Sequence, residues 1–384
     1  MSAETLFHIY SYEVKRPSRP LDEPFNRGCR EPDVLAPREN AVIVMLARNR
    51  ERQGAVQSIK SLEKQFNRWF HYPIIFLNDD PWEEAFINDL TKIASGNVTF
   101  EQIPKGMWGF PEWMDHDLAR QGMKRQEDEG VLYGGLESYH HMCRFNSGLF
   151  FDVPALKPYK WYWRVEPDVE FICAIPYDPF VAMAKHKKKY GFTVALLELR
   201  QTVPTLFRKV TDYKAKHKIP STNLWNTMIN PSWLPQPFRP LMSRLGNRDA
   251  SGDAWNLCHF WSNFEIADMD WFRTQEYRDF FEYLDLDGGF YFERWGDAPI
   301  HSLAAAMFLK AEELHHFEDI GYVHHPFQSC PKNKLGAQMA FSKTFGAGYW
   351  DKEVSSGIGC RCACNPRPTL PDLVCIDRIK QVFR

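Results

Sequence analysis

Seven consecutive apolar residues, Ala41-Val-Ile-Val-Met-Leu-Ala47, leave this chain few options. The run is too short for a membrane span and too uniformly apolar for a strand with one wet face. It predicts a strand covered on both sides. Val56, Ile59, Leu62 and Phe66 follow at helical spacing, and Tyr72-Pro-Ile-Ile-Phe-Leu77 is a second apolar strand. Strand, helix, strand is a βαβ unit, with parallel strands and a right-handed crossover. The expected fold class is therefore α/β. Ligands on such sheets gather at the carboxyl ends of strands, which places Arg48, Asn49, Asn78 and Asp79 along a crevice.

Further along, Val98 to Ile103 reads as a third strand, residues 115–129 as a polar helix, and 136–151 as a helix packing Met142, Phe145 and Leu149. Tyr159-Lys-Trp-Tyr-Trp-Arg-Val165 is a strand-like aromatic run that stops at Glu166-Pro-Asp168. Tyr190 to Leu199 is another strand, and Ser302 to Leu314 an alanine-rich helix. Residues 200–253 are mixed and proline-rich, which suits an excursion from the sheet or a mobile loop. The 384 residues hold one large or two modest domains. The boundaries drawn are an extended lead-in over 1–40, with Pro17, Pro20, Pro24, Pro32 and Pro37, a body over 41–329, and a cysteine-rich tail over 330–384.

Several function classes drop out. Forty-seven basic and forty-nine acidic residues leave a net charge of -2, so no global field draws a polyanion. The one dense basic run, residues 185–189, reads as a solvated helix end, and a nucleic-acid partner is not expected. No window approaches a membrane span, and Met1 is not followed by a basic stretch and an apolar signal core. There is no Walker loop, no dinucleotide fingerprint after the first strand and no nucleophile elbow. Nine cysteines, five of them after residue 329, leave at least one thiol over if the rest pair. The one-residue gaps of Cys360-Arg-Cys-Ala-Cys364 are too tight for a usual zinc site, so disulfides stapling the tail fit better. Asn97-Val-Thr99 is a glycosylation acceptor only if the chain is secreted.

The chemistry concentrates in a few places. Glu166-Pro-Asp168 puts two carboxylates at a strand end on a stiffened turn; their hard oxygens suit Mg²⁺ or Mn²⁺, or they are ordinary surface acids. Glu265 lies among Phe260, Trp261, Phe264 and Ile266, where a carboxylate must be paired, hydrogen-bonded or shifted, unless it sits on the polar edge of a helix. Asp297, ahead of Pro299, either caps a helix or holds a hydroxylated ligand. His324 and His325 are adjacent, so one is free to be a ligand while the other packs. The aromatics Tyr159, Trp161, Tyr162 and Trp163 serve equally as core or as sugar platform. Together these suit a sugar-diphosphate site with a metal across the phosphates. A glycoside hydrolase and a non-catalytic carbohydrate-binding protein are the rivals.

Four stretches carry a resemblance: Tyr162-Trp-Arg-Val-Glu-Pro-Asp168, Leu257-Cys-His-Phe-Trp-Ser-Asn-Phe-Glu-Ile-Ala-Asp268, Gly289-Phe-Tyr-Phe-Glu-Arg-Trp-Gly-Asp-Ala-Pro-Ile-His-Ser302, and the stretch from Gly321-Tyr-Val-His-His-Pro to Cys330. They are similar to the fungal α-1,2-mannosyltransferases, glycosyltransferase family 15. Leu77-Asn-Asp79, Ile103-Pro-Lys105 and Tyr139-His-His-Met-Cys-Arg144 resemble it too. The likeness runs from about Ala41 to Cys375 and is weakest over 200–253. It implies a glycosyltransferase A-type fold, GDP-mannose as donor, mannose-containing glycans as acceptors, Mn²⁺ as cofactor and retention of configuration. It also implies a Golgi-luminal enzyme held as a type II membrane protein by an anchor this chain lacks.

Carried over by position, Glu166 and His324 resemble the metal ligands, with Asp168 nearby toward the donor. Glu265 resembles the carboxylate that serves as nucleophile or stabilises the oxocarbenium-like state, Tyr139 a tyrosine at the donor–acceptor junction, and Asp297 an acid near the sugars. Arg48, Asn78 and Asp79 join as donor candidates. Cys143, Cys258, Cys330, Cys362, Cys364 and Cys375 are the disulfide candidates, with the parts of Cys29, Cys173 and Cys360 open.

Overall fold

The computed structural model describes residues 23–235, 237–331, 358–365 and 373–380. Pro17 and Pro20 of the lead-in, and the tail between 332 and 357, lie outside the described residues. In chain order the strands are β1 (Ala41–Leu46), β2 (Ile74–Asn78), β3 (Val98–Gln102), β4 (Trp161–Arg164), β5 (Val169–Phe171), β6 (Tyr190–Phe192) and β7 (Ala195–Leu197). Then come β8 (Ile229–Asn230), β9 (Ala254–Trp255), β10 (Cys258–Phe260), β11 (Glu265–Asp268), β12 (Leu314–His316), β13 (Tyr322–His324) and β14 (Phe327–Ser329).

Seven of them form the central sheet in the order β12-β6-β11-β4-β1-β2-β3. β1 pairs parallel with β2 on one side and with β4 on the other, and only β11 runs against its neighbours β4 and β6. The sheet is covered on both faces, as the apolar runs require. Val42, Val44, Ile75, Leu77 and Tyr162 face one core, while Ile43, Met45, Ile74, Phe76 and Trp163 face the other. That is the two-residue alternation of a strand with no wet side. Trp161, Tyr162 and Trp163 are core on both faces, so the aromatic run holds the sheet and is not a sugar platform.

The helices cover the sheet with small departures from expectation. The one expected over 115–129 spans His116–Asp128, and the Asp115 carboxylate caps it by accepting from the amides of Asp117 and Leu118. Residues 200–253 are not a mobile loop. Their Leu206–Lys216 helix buries Leu206, Phe207, Val210 and Tyr213 in the main core. The helix expected over 302–314 runs from Asp297 to Phe308. Pro299 falls in its first turn, where a missing amide costs nothing, and Leu309 turns extended before β12 begins. The strand expected over 190–199 divides at Thr193: β6 stays in the main sheet and β7 leaves to pair with β10. The basic run 185–189 is only partly a solvated end, since Lys188 is buried with its Nζ donating to the Leu314 carbonyl.

A three-stranded antiparallel sheet, β14-β13-β5, stands beside the main one. Its register sets His324 opposite Val169, directly after the Glu166-Pro-Asp168 turn. Ser58 and Ser61 of the Arg52–Leu62 helix accept from the amides of Val169 and Phe171 and fix β5 to that helix. Four disulfides are formed: Cys29–Cys360, Cys173–Cys362, Cys258–Cys375 and Cys330–Cys364. Two of them clamp this small sheet, one just after β5 and one just after β14. Cys143, expected among the bridged cysteines, is instead a free thiol. It lies fully buried in the helix core, where it packs as a small hydrophobe.

Candidate active site

A cleft of about 250 Å³ opens at the carboxyl edge of the sheet, between the ends of β1, β2 and β4. This is where the chain order reverses, with β2 on one side of β1 and β4 on the other. Arg48, Asn78, Asp79, Tyr139, Glu166, Asp168 and His324 all line it, together with Glu51, Trp108 and Ser138. Asn49 does not: its amide joins the Pro81 carbonyl to the Glu83 backbone amide instead. His325 is exposed and also outside. Asn78 is 1% exposed, yet neither atom of its side-chain amide has a partner among the described residues. A buried polar group left unmatched costs about 1–3 kcal/mol, a cost that a ligand in the cleft would remove. Burial also raises the Asp79 carboxyl above its ordinary range.

On the other wall, charge is organised around Arg164. Its Nη1 donates to Asp297 Oδ2 at 2.5 Å and its Nη2 to Glu166 Oε1 at 2.5 Å. Ser262 also donates to Asp297, at 2.7 Å. Burial alone would raise the Asp297 carboxyl; the Arg164 guanidinium outweighs it and holds the group below the usual carboxylate range. Asp297 is thus neither a helix cap nor part of the cleft lining. It is the buried counter-ion of the arginine that holds Glu166. Gly54, in the first turn of the Arg52–Leu62 helix, leaves room for the Asp168 carboxylate to lie against that turn. A helix amino terminus favours an anion there.

The donor set fits manganese. Glu166 keeps one carboxylate oxygen uncommitted, and His324 keeps Nε2, because Asn263 meets the ring at Nδ1, 2.5 Å away. With Nδ2 of Asn263 as donor, the ring proton would sit on Nε2 and block a metal. A half-turn of the amide exchanges nitrogen for oxygen without changing shape. Oδ1, which has no partner in the present orientation, then accepts from Nδ1–H, and Nε2 presents its lone pair to the cleft. One imidazole nitrogen with carboxylate oxygens is a donor set suited to a borderline cation such as Mn²⁺.

Tyr139 is a lining residue able both to donate and to accept a hydrogen bond. Arg294 Nη1 donates to its oxygen at 3.2 Å and leaves the phenolic proton free. Burial holds that hydroxyl well above its ordinary pKa, so it works as a neutral hydrogen-bonding group.

Glu265 is elsewhere. Because β11 is antiparallel, its first residue reaches the same edge as the last residue of β4, and Glu265 pairs in register with Arg164. It is fully buried and does not line the cleft. Tyr190 donates to its Oε2, and His301 Nδ1 stands 2.9 Å from the same oxygen. A carboxylate acting on a sugar must be open to it, and this geometry does not meet that role.

Arg164, His301 and Asn263 carry much of this network without having been given a task from sequence. Arg164 was legible in one respect. It stands two residues before Glu166 on a strand, hence on the same face.

The family described as glycolipid 2-alpha-mannosyltransferase matches residues 10–341. The chain belongs to that family. It is 42% identical over 376 residues to the O-glycoside alpha-1,2-mannosyltransferase homolog 4 of Schizosaccharomyces pombe, covering 91% of this chain and 80% of that protein. Among solved structures it resembles core-mannan synthase A (CmsA/Ktr4) from Aspergillus fumigatus in its Mn/GDP form. The TM-score is 0.71 and the identity 36%, over 87% of each chain. The mannosyltransferase Ktr4p of Saccharomyces cerevisiae in complex with GDP gives a TM-score of 0.75 at 32% identity, over 99% of this chain and 89% of that one. The fold is accordingly of the glycosyltransferase A type, as expected.

Proposed function

We propose that the cleft is the donor site of a manganese-dependent mannosyltransferase that moves mannose from GDP-mannose to mannose or mannosylated N- and O-linked glycans, with retention. The carrying observation is the convergence, at one sheet edge, of Glu166, Asp168 and His324 with Arg48, Asn78, Asp79 and Tyr139. Family membership and the Mn/GDP form of the Aspergillus relative support the donor and the metal. Glu166 and His324 would hold manganese, which when bound offsets charge on the diphosphate leaving group. Arg164 fixes the Glu166 carboxylate, and the unmatched Asn78 amide and Arg48 are placed to bind the nucleotide side.

A front-face route suits this site better than a covalent one. The enclosed Glu265 and the un-ionised Tyr139 are poor nucleophiles, whereas the Tyr139 hydroxyl can hold both acceptor and donor in place while the leaving phosphate takes the acceptor's proton. A glycoside hydrolase would need two carboxyls facing one bond, and Glu166 is tied to Arg164. Four disulfides suit an oxidising compartment. With the family they support the Golgi lumen as location, the full-length protein being a type II membrane protein.

The test is transfer from GDP-mannose to methyl α-mannoside with Mn²⁺, beside calorimetry with GDP. Glu166→Gln and His324→Ala should abolish the metal dependence of GDP binding. Tyr139→Phe should keep GDP affinity and lose turnover by on the order of 10². Transfer from another sugar nucleotide, with none from GDP-mannose, would overturn the donor assignment.

A further inference from the structure

The contact between Glu265 and His301 can be assigned proton by proton. His301 Nε2 lies 3.0 Å from the backbone carbonyl oxygen of Asn146, which can only accept, so Nε2 carries a hydrogen. One proton then remains for the 2.9 Å contact between His301 Nδ1 and Glu265 Oε2. The pair is either an imidazolium facing a carboxylate, or a neutral imidazole accepting from a carboxylic acid.

The surroundings separate the two. Glu265 Oε1 has no donor among the described residues, which suits the weakly accepting carbonyl of an acid and not an ionised oxygen. The groups facing the pair are Tyr190 from β6, Arg164 from β4, Tyr277 from the Gln275–Asp287 helix and Asp297 from the helix that bears His301. The one cation, Arg164, is already engaged by Asp297 and Glu166. The His301 ring is otherwise packed on Phe150 and Phe272. Burial first, then Asp297, act to raise the Glu265 carboxyl, and His301 offsets only part of this.

His301 and Asp297 are four residues apart on one helix and so share a face. Fixing His301 therefore fixes the rotation of the helix that presents Asp297 to Arg164, and through Arg164 the position of Glu166.

We propose that Glu265 is a protonated acid donating to neutral His301, and that this pair is a positioning device for the Asp297–Arg164–Glu166 chain. His301 and Glu265 are thereby positioning residues. The consequence at Glu166 rests on the reading of the cleft as the donor site; the protonation state does not.

The first experiment is ¹⁵N NMR of the full chain with labelled histidine, His301 being assigned by its loss in His301→Gln. One protonated and one bare ring nitrogen at neutral pH is the expected result. Two protonated nitrogens would overturn the neutral pair, whatever the enzyme's donor. The second compares Glu265→Gln with Glu265→Leu. An amide with its nitrogen at the Oε2 position keeps the donation to Nδ1, the Tyr190 hydroxyl turning from donor to acceptor of its second hydrogen. Glu265→Gln should therefore recover Mn²⁺-dependent GDP affinity to within about twofold of the native chain, while Glu265→Leu loses about tenfold. Equal loss in both, with normal melting of Glu265→Gln, would overturn the positioning role. If Glu265→Leu does not fold, the Glu265→Gln affinity set against the native chain decides alone.

Discussion

Gly54 tests the cleft from behind. The Asp168 carboxylate lies so close to it that an added β-carbon would meet Oδ1 at 2.4 Å, Cγ at 2.6 Å and Oδ2 at 2.8 Å. Gly54→Ala therefore sets two effects against each other. Inside a helix, alanine is favoured over glycine by roughly 1 kcal/mol. Against that, the carboxylate must leave the helix end and forfeits an attraction of about 0.3–1 kcal/mol. The backbone cannot follow, because Asp168 already holds a left-handed φ of 62° in the turn, so the side chain has to rotate. The two terms nearly cancel, and Tm should move by no more than about 4 °C. The cleft has no such compensation. If Asp168 holds the donor through one charged hydrogen bond worth about 1.5–3 kcal/mol, GDP affinity should fall by about 10- to 150-fold. Calorimetry with GDP and Mn²⁺, and thermal melting, on the native chain, Gly54→Ala and Asp168→Asn measure both. A Gly54→Ala protein that melts lower and binds GDP normally would refute the reasoning, since the contact would then serve the fold and not the site.

Two further expectations come from residues away from the cleft. Burial lifts the Asp319 carboxyl to about 7, with the neighbouring Tyr177 hydroxyl offsetting only part of the rise. A folded-state value above the unfolded one means that the stabilisation is complete below the ordinary carboxylate range and drains away as pH rises through about 7. Native Tm should therefore fall between about pH 4 and about pH 7 more steeply than that of Asp319→Asn; parallel profiles would exclude the assignment. The disulfides should separate by site. Replacing Cys173 and Cys362 with serine should lower both Tm and GDP affinity, because that bridge clamps β5 beside the Glu166 turn. Replacing Cys258 and Cys375 should lower Tm alone, each bridge stabilising by about 2–5 kcal/mol. Equal effects of the two pairs on GDP affinity would contradict the clamp.

Strands that are apolar throughout announce themselves, and β1 and β2 could be drawn from sequence because nothing else can bury Ala41 to Ala47 on both sides. The Glu166-Pro-Asp168 turn was legible for a related reason: two acids after an apolar run mark a strand's carboxyl end. What sequence could not supply was register. Nothing local reports that β11 enters the sheet backwards, and without that reversal neither the Glu265–Arg164 pairing nor the enclosure of Glu265 follows. The same holds for Asp297, where a capping signal and a buried ion pair look alike until Arg164 is seen across the sheet. Cysteine positions likewise gave the odd thiol but not its identity, because Cys143 shares its core with Cys258 and Cys375 and only the fold shows that those two pair with each other.

The place of β11 also orders the assembly of the molecule. It is inserted between β4 and β6, yet it comes after both in the chain. As the polypeptide emerges, β1 to β4 can close on one another at once. β6, although already made, has no partner on that side until Glu265–Asp268 arrives to fill the gap. Until then β4 is an open edge bearing Trp161, Tyr162 and Trp163, side chains that end as core. An unpaired aromatic edge invites pairing with another chain. A nascent chain stalled before its two-hundred-and-sixties thus has a slot beside β4, with β12 still to follow on the far side of β6, and β11 works as a keystone. It joins the halves and, in the same movement, brings Arg164 its opposite number.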